Sequence, residues 1–208
     1  MLRKSLFLFL FPVLIGSGYA AIDLTPSVTE VTEDGVTSRE AAFKTPEGKV
    51  LLALSPGWTI RGQKDRAQMN WTDQSTEAVI ESTALAKPEP LDEAAIAKFK
   101  QQIVAALPPG TTKVTTIGEA QNSLMPGGNP SFEFVITYDL WGKVFQRSAL
   151  LVNGPQERLI FRFTSLQKDF SDLNTQFRRM AMTWRAIEVK QPPAAVVADA
   201  GVPTRAAN

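Results

Sequence analysis

Apolar residues recur at helical spacing in two stretches of the chain. In the first, from Asp92 to Leu107, they are separated by 3, 4 and 4 residues, which places them on one face of an α-helix. Acidic Asp92 suits the positive N-terminal end of such a helix. The stretch from Ser165 to Trp184 has the same kind of spacing and predicts a second helix. The apolar positions are Ile96, Phe99, Ile103 and Leu107 in the first helix and Phe170, Leu173, Phe177, Met180 and Trp184 in the second.

Other segments alternate between apolar and polar residues, as half-buried strands do. The alternation is clearest from Ser131 to Leu140, where Phe132 and Phe134 share one face and Glu133 points to the other. Trp141-Gly142 predicts a hairpin turn that leads into a return strand. Further strands are predicted at residues 41–44, 49–54, 67–71, 78–86, 113–121, 143–152 and 157–164.

The order of these elements predicts the fold class. Strands joined by short hairpins favour an antiparallel sheet, and each amphipathic helix has one apolar face that must be covered. We therefore expect an α+β fold in which an antiparallel β-sheet is flanked by helices.

Four segments resemble a known family. They are Leu54-Ser55-Pro56-Gly57-Trp58, Leu91-Asp92-Glu93, Tyr138-Asp139-Leu140-Trp141-Gly142-Lys143 and the stretch from Phe170 through Trp184. Together they span roughly residues 40–187 and are similar to the PsbP-like superfamily, which includes the photosystem II extrinsic protein and DcrB-type envelope proteins. The resemblance implies an α/β/α sandwich that binds or stabilises partners, and it transfers no catalytic or metal-binding residue to this chain.

The N-terminus has the pattern of a secretory signal. Arg3 and Lys4 are followed by the uncharged, apolar segment from Ser5 to Ile15. Gly18-Tyr19-Ala20 then places small residues where a signal peptidase reads, which predicts cleavage after Ala20. The alternative is an uncleaved membrane anchor, although the apolar segment is short for a membrane span. We expect an exported chain, periplasmic or secreted, with no stable membrane insertion after cleavage.

Local composition divides the chain into four parts. Residues 1–20 are the predicted signal peptide, and residues 21–38, rich in Thr, Val and Glu, are expected to be a flexible leader. Residues 39–188 are expected to form a single PsbP-like domain. The Ala- and Pro-rich residues 189–208 have little to bury and are expected to be a disordered tail.

Charge and composition exclude several functions. Removal of Arg3 and Lys4 with the signal leaves 20 basic and 21 acidic residues, so no basic surface for nucleic acid is expected. The chain contains no cysteine and no histidine. Disulfides, thiolate or imidazole metal sites and His-dependent nucleophilic catalysis are therefore excluded.

The remaining catalytic residue types form no motif. Ser148 and Ser165 are available as nucleophiles, but neither lies in a Gly-x-Ser-x-Gly elbow. A pair of carboxylates could serve a glycosidase, or an oxygen-only metal site, although outward-facing acids on a half-wet sheet explain the same residues. The candidate acids are Asp73, Glu77, Glu81, Glu133 and Asp139. We predict a non-enzyme without a catalytic, cofactor or metal site.

Two features are candidates for binding a partner. Trp141 lies at the predicted hairpin tip, where an exposed indole can anchor another protein. Arginines of the last strand and helix could form a basic patch that meets an acidic partner. The alternatives are a Trp141 ring that lies on its own sheet, and two ordinary solvated faces. The candidate residues are Trp141, Arg158, Arg162, Arg178 and Arg179.

These observations predict a soluble, exported, non-enzymatic domain that binds or stabilises another protein of the cell envelope. A small-ligand or metal-binding periplasmic module remains the alternative, with its pocket between the sheet and one helix.

Overall fold

The computed structural model describes residues 22–33, 36–72 and 75–188. The predicted signal peptide, residues 1–20, and the predicted tail, residues 189–208, lie outside the described residues. The strands are β1 (Asp23–Glu33), β2 (Val36–Thr45), β3 (Gly48–Leu54), β4 (Thr59–Gln63), β5 (Arg66–Asn70), β6 (Glu77–Ala84), β7 (Thr112–Gln121), β8 (Ser131–Leu140), β9 (Lys143–Asn153), β10 (Glu157–Leu166) and β11 (Arg185–Glu188), and the helices are α1 (Glu93–Ala105) and α2 (Gln167–Met182).

The strands form two sheets in which all neighbouring strands are antiparallel. In each sheet one pair of neighbours, β6–β10 and β3–β11, comes from distant parts of the chain. The larger sheet has seven strands in the order β4-β5-β6-β10-β9-β8-β7, and the smaller has four in the order β1-β2-β3-β11. The predicted α+β class is confirmed. The smaller sheet was not expected, because the sequence indicated one sheet only.

One face of the larger sheet packs against α2 and the smaller sheet. The residues of β9 and β10 with one parity, such as Leu150 and Phe161, are buried there. They meet Phe170 and Phe177 of α2 and Phe43 of β2 in a single apolar cluster. Aromatic rings are central to this cluster, since Phe163 stacks on Phe177 with ring centroids 5.5 Å apart.

The opposite face of the larger sheet packs against α1. Phe99 and Ile103 of the helix are buried against strand residues of the other parity, including Phe134 and Leu151. Asp92 caps the helix, since its carboxylate accepts a hydrogen bond of 2.8 Å from the Ala95 backbone N–H. This cap satisfies one of the amides that a helix N-terminus leaves free.

Both helices and the strands from β5 to β10 begin and end within two residues of the predicted bounds. Amphipathic helices and half-buried strands can be predicted from the sequence because each buries one apolar face, which gives its apolar residues a fixed period.

The prediction that residues 21–38 form a flexible leader is wrong for its described part. Residues 23–33 and 36–38 lie in β1 and β2, which pair in register from Ser27–Ala42 to Glu33–Val36. Leu24 is fully buried, and its amide donates a 3.0 Å hydrogen bond to the Lys64 carbonyl. The rest of β1 is mostly exposed, which explains why its sequence lacks a strand period.

Candidate functional site

The tip of the β8–β9 hairpin presents an aromatic ring to solvent. Trp141 and Gly142 form a two-residue turn with φ values of 50° and 73°. Positive φ at both positions is typical of the tight turns whose twist matches that of the strands. The turn projects the Trp141 side chain outward, and 84% of its surface is exposed. Its placement at the hairpin tip agrees with the sequence, and the ring does not lie on its own sheet.

A cavity of about 460 Å³ lies below this tip, on the α1 face of the larger sheet. One part of its lining is apolar and aromatic, and the other is polar. The apolar lining residues are Pro108, Leu140, Trp141, Tyr138 and Phe145, and the polar ones include Gln68, Asn70, Glu77, Lys143, Arg147 and Thr164. Tyr138 and Phe145 stack across the hairpin, with ring centroids 5.7 Å apart. The volume is within the range of small-molecule sites.

Arg147 is the buried cation of this cavity, with only 5% of its surface exposed. Its side chain points to the α1 face of the sheet, as do those of Phe145 and Ala149, the residues two positions before and after it in β9. Its Nε donates to Thr164 Oγ1 at 2.9 Å, and its Nη1 donates to the Ala106 carbonyl at 3.4 Å. The guanidinium carbon is also 5.7 Å from the centre of the Tyr138 ring.

The Arg147 charge has no carboxylate in contact with it among the described residues. Glu77, the acidic residue of the cavity lining, is instead engaged by Gln68 at 2.9 Å and by Arg66 at 3.6 Å. Burial lowers the pKa of Arg147, and the charges of Tyr138 and Glu77 counteract this shift. Burial likewise raises the pKa of Tyr138. An arginine stays protonated in proteins, so a positive charge lines the cavity.

The predicted arginines do not form one basic surface. Arg158 and Arg162 of β10 lie on the α1 face, where they pair with Glu89 and Glu81. Arg178 belongs to α2, on the opposite face. The expected joint patch is therefore absent from the described residues, because the strand positions of Arg158 and Arg162 face the α1 side of the sheet whereas α2 covers the opposite side.

Arg178 and Arg179 lie next to each other on α2 but have different surroundings. Arg178 pairs with Glu133 and donates a 3.3 Å hydrogen bond to the Ser123 carbonyl. Arg179 is exposed and lines a shallow surface hollow with Leu124 and Met182. Of the predicted partner-binding residues, only Trp141 lies at the cavity described above.

Glu133 differs from the outward-facing acid that the sequence indicated. It is buried, and its carboxylate accepts hydrogen bonds from Ser123 at 2.7 Å, Ser148 at 2.9 Å and Arg178. Burial alone would raise its pKa, but these donors outweigh that effect and hold the pKa of Glu133 below its ordinary value. Both faces of the larger sheet are covered, so the polar residues that alternate with apolar ones along β8 can also be buried.

The other candidate acids also have partners. Glu77 and Glu81 pair with Arg66, and Asp139 pairs with Lys113 at 2.7 Å. Asp73 lies outside the described residues. Within those residues, no three acidic side chains converge on a point that would hold a metal ion.

Sequence reasoning missed Arg147. A signal was present, since Arg147 has the same strand parity as Phe145, Ala149 and Leu151, and a charge in an apolar row is unusual. That this row faces the buried α1 side follows only once β9 is placed between β8 and β10.

No helix of the described residues is long and apolar enough to cross a membrane. No protein-family profile matches the chain, and no curated protein sequence is significantly similar to it. Two solved structures have a similar fold. LpqN, described as involved in cell envelope biogenesis of Mycobacterium tuberculosis, aligns with a TM-score of 0.52 and 14% identity over 77% of this chain and 90% of LpqN. Cyanobacterial PsbP (CyanoP) from Synechocystis sp. PCC 6803 aligns with a TM-score of 0.53 and 10% identity over 83% of this chain and 96% of CyanoP.

The fold is PsbP-like. The resemblance to PsbP-like proteins is thereby confirmed at the level of the fold. The Pro56-Gly57-Trp58 segment has a structural role in this fold, since Gly57 has φ of 83° and Trp58 is fully buried. Identities of 10% and 14% establish shared architecture and leave function to be argued from the site.

Proposed function

We propose that this chain is an exported, non-catalytic accessory protein of the cell envelope that acts by binding another envelope protein. Similarity in fold to LpqN, whose description places it in cell envelope biogenesis, supports the envelope role. The signal-like N-terminus supports export, and the balanced charge argues against nucleic acid as the partner. The helices are proposed to form an α/β/α sandwich with the larger sheet, on the support of an apolar cluster on each of its faces.

The observation that carries this proposal is the exposure of Trp141. A tryptophan side chain that is 84% exposed loses the stabilisation that burial would provide, while the other described tryptophans pack into the protein. Tryptophan is enriched among the residues that dominate protein interfaces. A hairpin tip also projects the ring past the rest of the sheet, where a partner can reach it.

Crosslinking and affinity capture of the tagged full chain in its native host would test the proposal. We expect one identified envelope protein to be enriched, and we expect Trp141→Ala to weaken its binding by at least about tenfold in a titration with the purified partner. Met182→Ala is the matched variant, because Met182 is also a large exposed apolar residue but lies at the end of α2. It should bind the partner as the unchanged protein does.

The possible results distinguish the role of the Trp141 surface from the proposal of partner binding itself. A partner that binds all three proteins equally would retain partner binding and remove Trp141 from its interface. The absence of any enriched envelope protein would contradict partner binding itself.

Export is tested separately from binding. N-terminal sequencing of the protein recovered outside the cytoplasm should begin at Ala21, the residue after the predicted cleavage site. Recovery of a chain that keeps residues 1–20 would support the membrane-anchor alternative.

The cavity at Arg147 favours a second function, that of a small-ligand binding module. Its volume, its divided polar and apolar lining and its buried guanidinium are the observations in favour. Partner binding and ligand binding would use adjacent parts of one surface. Partner binding would depend on the exposed Trp141 ring, and ligand binding on the buried Arg147 guanidinium.

A further inference from the structure

Arg147 is a buried charge whose described contacts are incomplete for a guanidinium. A guanidinium has five N–H donors. Thr164 and the Ala106 carbonyl accept from two of its nitrogens, and the Tyr138 side chain interacts with it. Each of these groups is neutral at neutral pH, so none compensates the positive charge by contact. Removing an ion from water is costly unless a counter-charge or several hydrogen bonds replace the hydration.

We propose that the cavity below Trp141 binds a small organic carboxylate, whose carboxyl group pairs with Arg147 and whose aromatic or aliphatic body lies against Tyr138 and Phe145. The inference rests on the ligand-binding function and is independent of partner binding through Trp141. The two experiments can therefore fail separately.

The charges at the cavity favour a monoanion. Arg147 lines its interior, Lys143 its exposed lining, and Glu77 adds a negative charge to the same lining. Arg162 and Arg66 are already paired with Glu81 and Glu77. A carboxylate carries one negative charge and fits the planar fork of an arginine, whereas a phosphate monoester carries nearly two. A monoanion compensates Arg147, the buried cation of the described lining, because Lys143 is exposed to solvent and Glu77 is paired with Arg66.

The apolar lining determines the rest of the ligand. Tyr138 and Phe145 form a stacked pair with an interplanar angle of 14°, and Leu140 and Pro108 extend the apolar surface. These groups offer no charge and few donors, so they match a hydrocarbon or an aromatic ring. The ligand class is therefore an acid with an apolar body of moderate size, in a cavity of about 460 Å³.

Titrations followed by NMR amide shifts would test this assignment. The probes are 4-phenylbutyrate, its neutral amide 4-phenylbutyramide and inorganic phosphate, each added to the purified full chain. We expect saturable shifts for 4-phenylbutyrate that map to residues around Arg147 and Tyr138. The amide and phosphate should bind at least about tenfold more weakly, because neither matches both the charge and the apolar lining. This comparison uses the unchanged protein and does not depend on the folding of any variant.

A matched pair of variants identifies the residue responsible. Arg147→Gln should weaken 4-phenylbutyrate binding by at least about tenfold, while Arg179→Gln, which removes an exposed arginine of α2, should leave it unchanged. Equal weakening by both variants would indicate general charge attraction and would overturn the inference. Equal binding of acid and amide, tighter binding of phosphate than of the acid, or no saturable binding of the acid at millimolar concentration would also overturn it.

Discussion

The Glu133–Arg178 pair links the larger sheet to α2 through a buried carboxylate. Glu133 lies on β8, and its two carboxylate oxygens accept hydrogen bonds from the side chains of Ser123, Ser148 and Arg178. A carboxylate with three donors is stable in a buried position only while those donors remain. This residue is therefore a structural element of the fold and is not available as a general acid or base.

Glu133→Gln should destabilise the protein by about 2–3 kcal/mol, because it leaves the Arg178 charge without its buried partner. Urea denaturation followed by circular dichroism measures the change in the free energy of unfolding. Glu119→Gln is the matched variant, since Glu119 pairs with Lys100 at 2.6 Å at a more exposed site. It should cost less than about 1 kcal/mol. Equal losses in the two variants would contradict the structural role of Glu133.

At the scale of elements, β1 depends on one glycine. A Cβ built on Gly62 would lie 2.1 Å from the Leu24 carbonyl oxygen, a distance that only a backbone shift could relieve. The absence of a side chain lets β1 approach β4 and lets the Leu24 amide reach the Lys64 carbonyl. The close approach of the start of β1 to β4, at the edge of the larger sheet, thus requires glycine at this position.

Gly62→Ala should detach the start of β1 and destabilise the protein by about 2 kcal/mol or more, through backbone strain at a close approach. Hydrogen exchange should show faster exchange of the Leu24 amide. Gly118→Ala provides the comparison, because its Cβ would make ordinary contacts of 3.7 Å with Val135. That substitution should be neutral or slightly stabilising. Unchanged protection of the Leu24 amide in Gly62→Ala would refute the explanation.

Comparison of the elements shows which parts of the fold can be predicted from the sequence and which cannot. The β8–β9–β10 meander and both helices were predictable, because each buries an apolar face with a fixed period. The strands β1 and β11 were not, since most of their side chains are exposed. In addition, β11 pairs with β3, a strand distant in sequence. The site divides in the same way, because Trp141 follows from a local turn while Arg147 requires the packing of α1, β8 and β10 around it.

At the scale of the whole molecule, a carboxyl group at the junction between the two sheets is expected to make stability depend on pH. Glu157 at the start of β10 lines a cavity of about 300 Å³ there. The other side of the cavity is lined by Val50 of β3, Ala186 of β11 and Ile22, which directly precedes β1. Burial raises the pKa of Glu157 to about 7. The folded protein therefore holds this carboxyl protonated at a pH where the unfolded chain has already ionised it.

The free energy of unfolding should fall by on the order of 1–2 kcal/mol as the pH rises from about 5 to about 7.5. Between the ordinary and the raised pKa of Glu157, the unfolded state binds fewer protons than the folded state, so higher pH favours unfolding. Below this window the sign reverses, because the lowered pKa of Glu133 makes its contribution decline with acidification. The chain has no histidine to mask the effect.

Urea denaturation at several pH values measures this dependence. Glu157→Gln should flatten the profile between about pH 5 and 7.5 and stabilise the protein at the upper end. Asp172→Asn, which changes an exposed carboxylate of α2, should leave the slope intact. A slope that persists unchanged in Glu157→Gln would assign the effect to another group.

The contrast between Trp141 and the other tryptophans gives the protein an optical reporter at the candidate site. Trp58 and Trp184 are buried and Trp71 packs against Trp58, so a collisional quencher dissolved in water reaches the Trp141 indole first. The accessible part of the intrinsic fluorescence therefore comes chiefly from the hairpin tip. Any molecule that covers this tip should protect that emission from acrylamide, and occupancy can be followed without attaching a dye.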